Sequence, residues 1–256
     1  MPTDAAPQDR NIAGTFAKGL AVLEAFDGRS PALTLAEIAR ATGQDRATAR
    51  RGALTLVHLG YLRQDGRHFS LTPKVLALAG GFLQAHQIGR QVQPVLNHHA
   101  AALGVEITLA AREGDHVLML AQSTVQGGTV SYGFTPGSRL PLAHTSLGRM
   151  LLAGEPAAEV AALLARLPLP RHTDQSLTDP AEIAARIAQA REDGFAVTDS
   201  EFEPGIVGIA VAAGPRVVAG SSIPRGRDGT DDIDRVLRGL QGCAYELRRA
   251  GALTGI

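Results

Sequence analysis

The chain has one cysteine and no tryptophan in 256 residues. A lone Cys243 excludes an intramolecular disulfide and a cysteine-built zinc site, and it suits a reducing compartment. Aromatic residues make up 4% of the chain, so Leu, Val, Ile and Ala must fill the core. Lysine occurs only at Lys18 and Lys74. The longest apolar run, VLALAGGFL, falls well short of the roughly 20 residues that a membrane span needs. The opening stretch MPTDAAPQDRNIAG lacks the apolar segment of a signal peptide. A cytoplasmic protein without membrane contact is therefore expected. Net charge is missing too, with 25 basic and 25 acidic residues, so any affinity for a polyanion has to be local.

Such a local feature is present. DRATARR, residues 45–51, holds Arg46, Arg50 and Arg51. Across 40–74, seven basic residues face Asp45 and Asp65, giving +5. A basic patch in the first third of a neutral chain is the footprint of a nucleic-acid partner.

The surrounding pattern gives that patch a shape. FAKGLAVLEAF (16–26) carries an apolar stripe at helical spacing. Thr34 followed by Glu37 is a capping box that opens LAEIARAT, and Gly43 closes it. Asp45 caps the next helix, RATARRGALTLVHLG, whose Ala49, Ala53 and Leu56 recur at i, i+4 and i+7. YLRQDGRHFSL then reads as a hairpin around Asp65-Gly66. Two helices, a tight turn and a following hairpin make a winged helix-turn-helix. In that geometry Arg46, Thr48, Arg50 and Arg51 on the second helix reach bases or phosphates, and Arg63, Arg67 and His68 lie on the wing. Gly52 inside this helix costs about 1 kcal/mol against Ala, which suggests a close approach by another backbone.

Thr72-Pro73 starts a further helix, PKVLALAGGFLQAH. Its apolar residues exceed one narrow stripe, so it is expected to bury two faces, link two domains and pack on a second subunit. From residue 89 helices and strands mix. GRQVQPVLNHHAAALG is helical, VEITLAARE and HVLMLAQS are strands around Gly114-Asp115, and TVSYGF is a third strand. A helix begins near Thr145-Ser146, another at PAAEVAALLARL, and a long one after Asp179-Pro180. FAVTDSE, GIVGIAVAA and RVVAGSS are strands before a closing helix. The class is α+β, with a second domain of about 170 residues.

LTLAEIARATGQDRATARRGALTLVHLGYLRQDGRHFSLTPKVLALA resembles the N-terminal domain of the IclR family of bacterial transcription regulators. PGSRLPLAHTSLGRMLLA and DGFAVTDSEFEPGIVGIAV resemble two stretches of that family's second domain. The A-R-R form of the recognition helix, with PKVLAL after the wing, is most similar to the subgroup that regulates aromatic-acid catabolism. Departures exist: Gly52 and Ala53 replace bulkier residues, AAGPRVV is a shorter turn, and SSIPRGRD differs from S-x-x-G-P.

The resemblance implies a disordered tail (1–14), a winged helix-turn-helix (15–72), a linker helix (73–88) and a GAF-like effector-binding and oligomerisation domain (89–256). It implies a homodimer or homotetramer on a palindromic double-stranded operator, controlling catabolic genes. The implied effector is a small aromatic carboxylate such as 4-hydroxybenzoate or protocatechuate. An aliphatic keto- or hydroxy-acid, or no effector at all, are the alternatives. The effector would sit against the helix after L-P. Its free N–H groups suit a carboxylate, with Thr145, Ser146 and Leu147 at that end. Ser221 and Ser222 match the family's serine positions, Gly208 leaves room, and Tyr132 and Phe134 offer an apolar wall.

Enzyme signatures are absent: no G-x-S-x-G, no H-E-x-x-H and no glycine-rich phosphate loop. His98-His99 point in different directions and make a poor metal pair. His144 and Ser146 lack a third orienting group. Glu201 and Glu203 read as surface or structural residues, and Cys243 as packing. Neither cofactor nor metal is expected.

Overall fold

A computed structural model of the chain describes residues 12–28, 30–124, 134–226 and 230–254. The chain divides into two compact units, 1–82 and 83–256.

In the first unit, helix α1 (Gly14–Glu24) is followed by a two-residue strand β1 (Leu33–Thr34), α2 (Leu35–Thr42) and α3 (Arg46–His58). Thr34 and Glu37 form the expected capping box, and Gly43 ends α2 at φ +65°. The Asp45 side chain accepts the Thr48 amide and so starts α3. Strands β2 (Leu62–Asp65) and β3 (His68–Leu71) make the hairpin, with Asp65 paired to His68 across the Gly66-Arg67 turn. β1 joins β3 as a third strand that the sequence reading missed. Two residues carry too little pattern to register as a strand.

Val22, Ile38, Ala49, Ala53, Leu56, Leu62 and Phe69 form the core of this unit. Gly52 faces α1, where a Cβ would lie 3.0 Å from Val22 Cγ2 and 3.8 Å from the Gly19 Cα. The expected close approach is thus α1 on α3. Helix α4 (Val75–Ala85) follows. It buries no residue at all within the chain, and Leu76 and Leu78 are exposed.

The second unit opens with a π-helical turn (Ile88–Val92) and α5 (Gln93–Leu103). β4 (Thr108–Glu113), β5 (His116–Gln122) and β6 (Arg139–Pro141) precede helices α6 (Ser146–Ala153), α7 (Ala157–Leu164) and α8 (Pro180–Asp193). β7 (Phe195–Asp199), β8 (Ile206–Ala212), β9 (Val217–Pro224) and α9 (Thr230–Arg249) complete it. The strands form one six-stranded sheet in the order β6-β5-β4-β9-β8-β7, every pair antiparallel. β6 lies in a stretch to which the sequence reading assigns no strand. The expected strand TVSYGF falls outside the described residues except for Phe134.

Strand alternation sorts the sheet residues into two cores. Leu109, Ile209, Val217 and Ala219 pack with Leu96, Leu240 and Leu247 of α5 and α9. Ala110, Ala196, Ala210 and Val218 pack with Leu152, Ile183 and Ile187 of α6 and α8. The second of these layers contains the cavity.

Candidate functional site

Two separate surfaces deserve description, one in each unit. On the first unit Arg46, Arg50, Arg51, Arg63, Arg67 and His68 are all exposed. They are not equivalent. The Thr48 hydroxyl donates to Asp45 Oδ2 at 2.7 Å and accepts from Arg51 Nη2 at 3.0 Å. Thr48 and Arg51 are therefore tied into the helix cap. The hydrogen bonds that the Thr48 hydroxyl and amide donate to Asp45 hold its carboxyl below the usual pKa. Among the described residues the side chains of Arg46, Arg50, Arg63 and Arg67 make neither a hydrogen bond nor an ion pair, so on α3 Arg46 and Arg50 are the guanidinium groups at liberty to meet a polyanion.

The second surface is a cavity between α6 and the sheet. Its volume, counted as space for water centres, is about 90 Å³. One water needs about 10–15 Å³ on that measure, so a ring-sized ligand fits. Thr145, the N-cap of α6, accepts the Gly148 amide at 3.1 Å and donates to the Pro141 carbonyl at 2.7 Å. Its hydroxyl is spent on the cap and is not a free donor. The first two amides of α6, Ser146 and Leu147, have no partner within the helix. Ser146 and Thr198 are buried, and neither hydroxyl makes a hydrogen bond among the described residues. They converge on one point: a Cβ placed on Gly208 would lie 2.8 Å from Ser146 Oγ and 2.9 Å from Thr198 Oγ1. Gly208 thus lets the helix end come down onto β8.

Phe134, Met119, Leu140 and Phe202 supply apolar walls. Ser222 faces the cavity, in register with Gly208. Ser221 lies half a pleat away, on the side of Ala219 and Ile223, and its Oγ donates to the Glu106 carbonyl at 2.6 Å. Its backbone borders the cavity, but its hydroxyl does not complete the polar end as sequence reasoning expected. Leu147 closes tightly over β9, where a Cβ on Gly220 would meet its Cδ2 at 2.6 Å. Tyr132 lies outside the described residues.

Sequence reasoning missed the carboxylates. Glu106, Glu201 and Glu203 all line the cavity. Glu201 forms a two-armed ion pair with the buried Arg149 of α6, one arm at 2.7 Å. Arg149 Nε donates to the Ala143 carbonyl at 3.0 Å. Breaking such a pair from one side costs about 3–5 kcal/mol, so the pair pins the β7–β8 loop to the helix that builds the site. The Glu106 and Glu203 carboxyls are pushed above the usual range by burial. Thr198 and Gln122 stand on two strands, Glu106 just before β4, and Glu201 and Glu203 on the β7–β8 loop, and only the pairing of the sheet brings them together.

Other expected candidates have plain positions. His144 is buried, and its Nε2–H donates to the Leu177 carbonyl at 2.9 Å, leaving Nδ1 without a partner among the described residues. Burial holds this imidazole below its usual pKa. His98 and His99 meet edge to face at 5.4 Å, and His99 Nε2 lies 2.9 Å from Glu246. No cluster suited to a metal ion occurs among the described residues. Cys243 is buried and its thiol is pushed up to about 12, so it stays protonated. No helix among the described residues is long and apolar enough to cross a membrane.

Comparison with known proteins gives a consistent result. Residues 15–66 match the model described as the IclR helix-turn-helix domain. Residues 80–248 match the one described as bacterial transcriptional regulator IclR C-terminal. The Pca regulon regulatory protein of Pseudomonas putida is 38% identical over 203 residues, covering 79% of this chain and 70% of that protein. The p-hydroxybenzoate hydroxylase transcriptional activator of Acinetobacter baylyi is 31% identical, covering 93% and 91%. A crystal structure of an IclR homolog from Microbacterium hydrocarbonoxydans, complexed with 4-hydroxybenzoate, superposes with a TM-score of 0.71 at 24% identity. It covers 92% of this chain and 98% of that one, and that likeness shows the fold.

Proposed function

The chain belongs to the IclR family of bacterial transcriptional regulators, and from that premise we propose that it is a cytoplasmic, non-enzymatic regulator whose DNA binding responds to a small aromatic carboxylate. The carrying observation is the cavity. Two buried, unpartnered hydroxyls, Ser146 and Thr198, and the first amides of α6 form a cradle for one carboxylate. Beside it stand the apolar walls of Met119, Phe134, Leu140 and Phe202, which suit a ring better than an aliphatic keto-acid. Relatives named for Pca and p-hydroxybenzoate genes support the same class. 4-Hydroxybenzoate and protocatechuate are the leading candidates. The winged unit would bind a palindromic operator as a homodimer or homotetramer, with Arg46 and Arg50 reaching first.

A thermal-shift panel with benzoate, 4-hydroxybenzoate, protocatechuate, pyruvate and the matching aromatic amides tests the reading. An aromatic acid at 100 times its Kd should stabilise the protein by about 2.7 kcal/mol, the amide should not, and Ser146→Ala should weaken the response. A panel flat for every aromatic acid would sink the aromatic-acid assignment. Response to pyruvate alone would move it to aliphatic acids.

A further inference from the structure

Three carboxylates border a cavity that is read as taking an acid, and no lysine or arginine among the described residues lines it. Arg149 neutralises Glu201. Glu106 has no such help. It is half-buried, and it has no ion pair among the described residues. An unpaired carboxylate inside an anion site is unfavourable unless the ligand brings a hydrogen-bond donor to it.

Strand register says where that donor must be. Thr108 pairs with Gly220 on β9, and Ser222 pairs with Gly208 on β8. Antiparallel continuation sets Glu106 beside Ser222, two strands from Gly208. At about 4.8 Å per strand the Glu106 backbone stands about 10 Å from the Ser146–Thr198 cradle. A benzoic acid with its carboxylate in the cradle spans this gap with its far ring edge. Glu203 also lacks a cation, but it hangs from the β7–β8 loop, beyond the strand that carries Thr198. Glu106 lies across the cavity, its backbone fixed by the Ser221 hydroxyl on its carbonyl.

We propose that Glu106 accepts a hydrogen bond from a ring hydroxyl of the effector, so that the site selects hydroxybenzoates over benzoate and rejects aromatic diacids. This rests on the aromatic-acid reading of the cavity. The selection works from both sides: a hydroxyl meets its acceptor, and a second carboxylate meets a like charge.

The test is isothermal titration calorimetry on the full-length protein. Benzoate, 3- and 4-hydroxybenzoate, protocatechuate and terephthalate are titrated into wild type, Glu106→Leu, Glu106→Gln and Glu203→Leu. Wild type should bind at least one hydroxybenzoate about 10- to 100-fold more tightly than benzoate, the value of a hydrogen bond to a charged group. Glu106→Leu should abolish that ratio while still binding benzoate, which also shows that the variant is folded. Glu106→Gln should keep part of the ratio and tolerate terephthalate better. A ratio unchanged in Glu106→Leu, or lost in Glu203→Leu instead, overturns the assignment. Wild type binding none of these acids overturns the aromatic-acid reading, and the role of Glu106 with it.

Discussion

Single atoms decide whether the cavity exists. A Cβ on Gly148 would lie 2.1 Å from the Leu142 carbonyl oxygen and 2.5 Å from the Leu142 Cα. Both are backbone atoms, so nothing flexible can move aside. The same segment takes the Thr145 hydroxyl on the Pro141 carbonyl, so the first turn of α6 is clamped to it at two points. Gly148→Ala should therefore cost at least about 3 kcal/mol, the upper end for overpacking a core, and should abolish effector binding. Gly81→Ala is the control. It lies in α4 with nothing within 4 Å of the added atom and should gain up to about 1 kcal/mol. Urea denaturation of both variants measures the difference. If Gly148→Ala unfolds at the wild-type midpoint, the packing of α6 on its preceding strand is looser than described.

At the scale of elements, legibility depended on how local the signal was. The Thr34–Glu37 capping box, the Asp45 cap and the Asp65-Gly66 turn are each set by residues within a few positions of one another. Sequence showed them, and with them the winged helix-turn-helix. β1 and β6 were lost because two or three residues make a strand only when a partner pairs with them. The cavity was half legible. Ser146, Leu147, Gly208 and Ser222 came from family resemblance. Glu106, Gln122 and Thr198 gave no local cue, because what unites them is pairing between β4, β5, β7, β8 and β9. Thr48 shows the converse limit: its place on the recognition helix was plain, but its commitment to Asp45 and Arg51 was not. That commitment ranks the arginines of α3. Arg50→Ala should weaken operator binding and lower the slope of log K against log salt by about 1. Arg51→Ala should have a smaller effect on the slope, because its guanidinium is already engaged by Thr48. Fluorescence anisotropy across a salt series separates the two, and equal slopes would remove the ranking.

At the scale of the whole molecule the uncovered apolar surface is lopsided. Eight of the nine large exposed hydrophobic residues among the described ones lie in residues 1–82, and Tyr245 is the exception. Ile12, Phe16 and Leu20 are spaced by four along α1 and its approach, and Leu76 and Leu78 stand on α4. The smaller unit thus leaves in water the surface that the larger one has covered. Exposed apolar residues in this number suit a partner, and in the dimer proposed above a second copy would cover them while placing two winged helices to read a two-fold site. Leu76 is 67% exposed and Phe16 68% exposed. Replacing both by Glu removes little packing from the isolated chain, so the melting temperature of the fold should barely move. Sedimentation velocity should show dimers giving way to monomers, and affinity for a full palindrome should fall toward that for one half-site. If the variant stays dimeric, the interface lies elsewhere and the two-fold operator would have to be read through contacts made by the second unit. If it becomes monomeric yet keeps full affinity for the palindrome, the DNA itself brings the copies together.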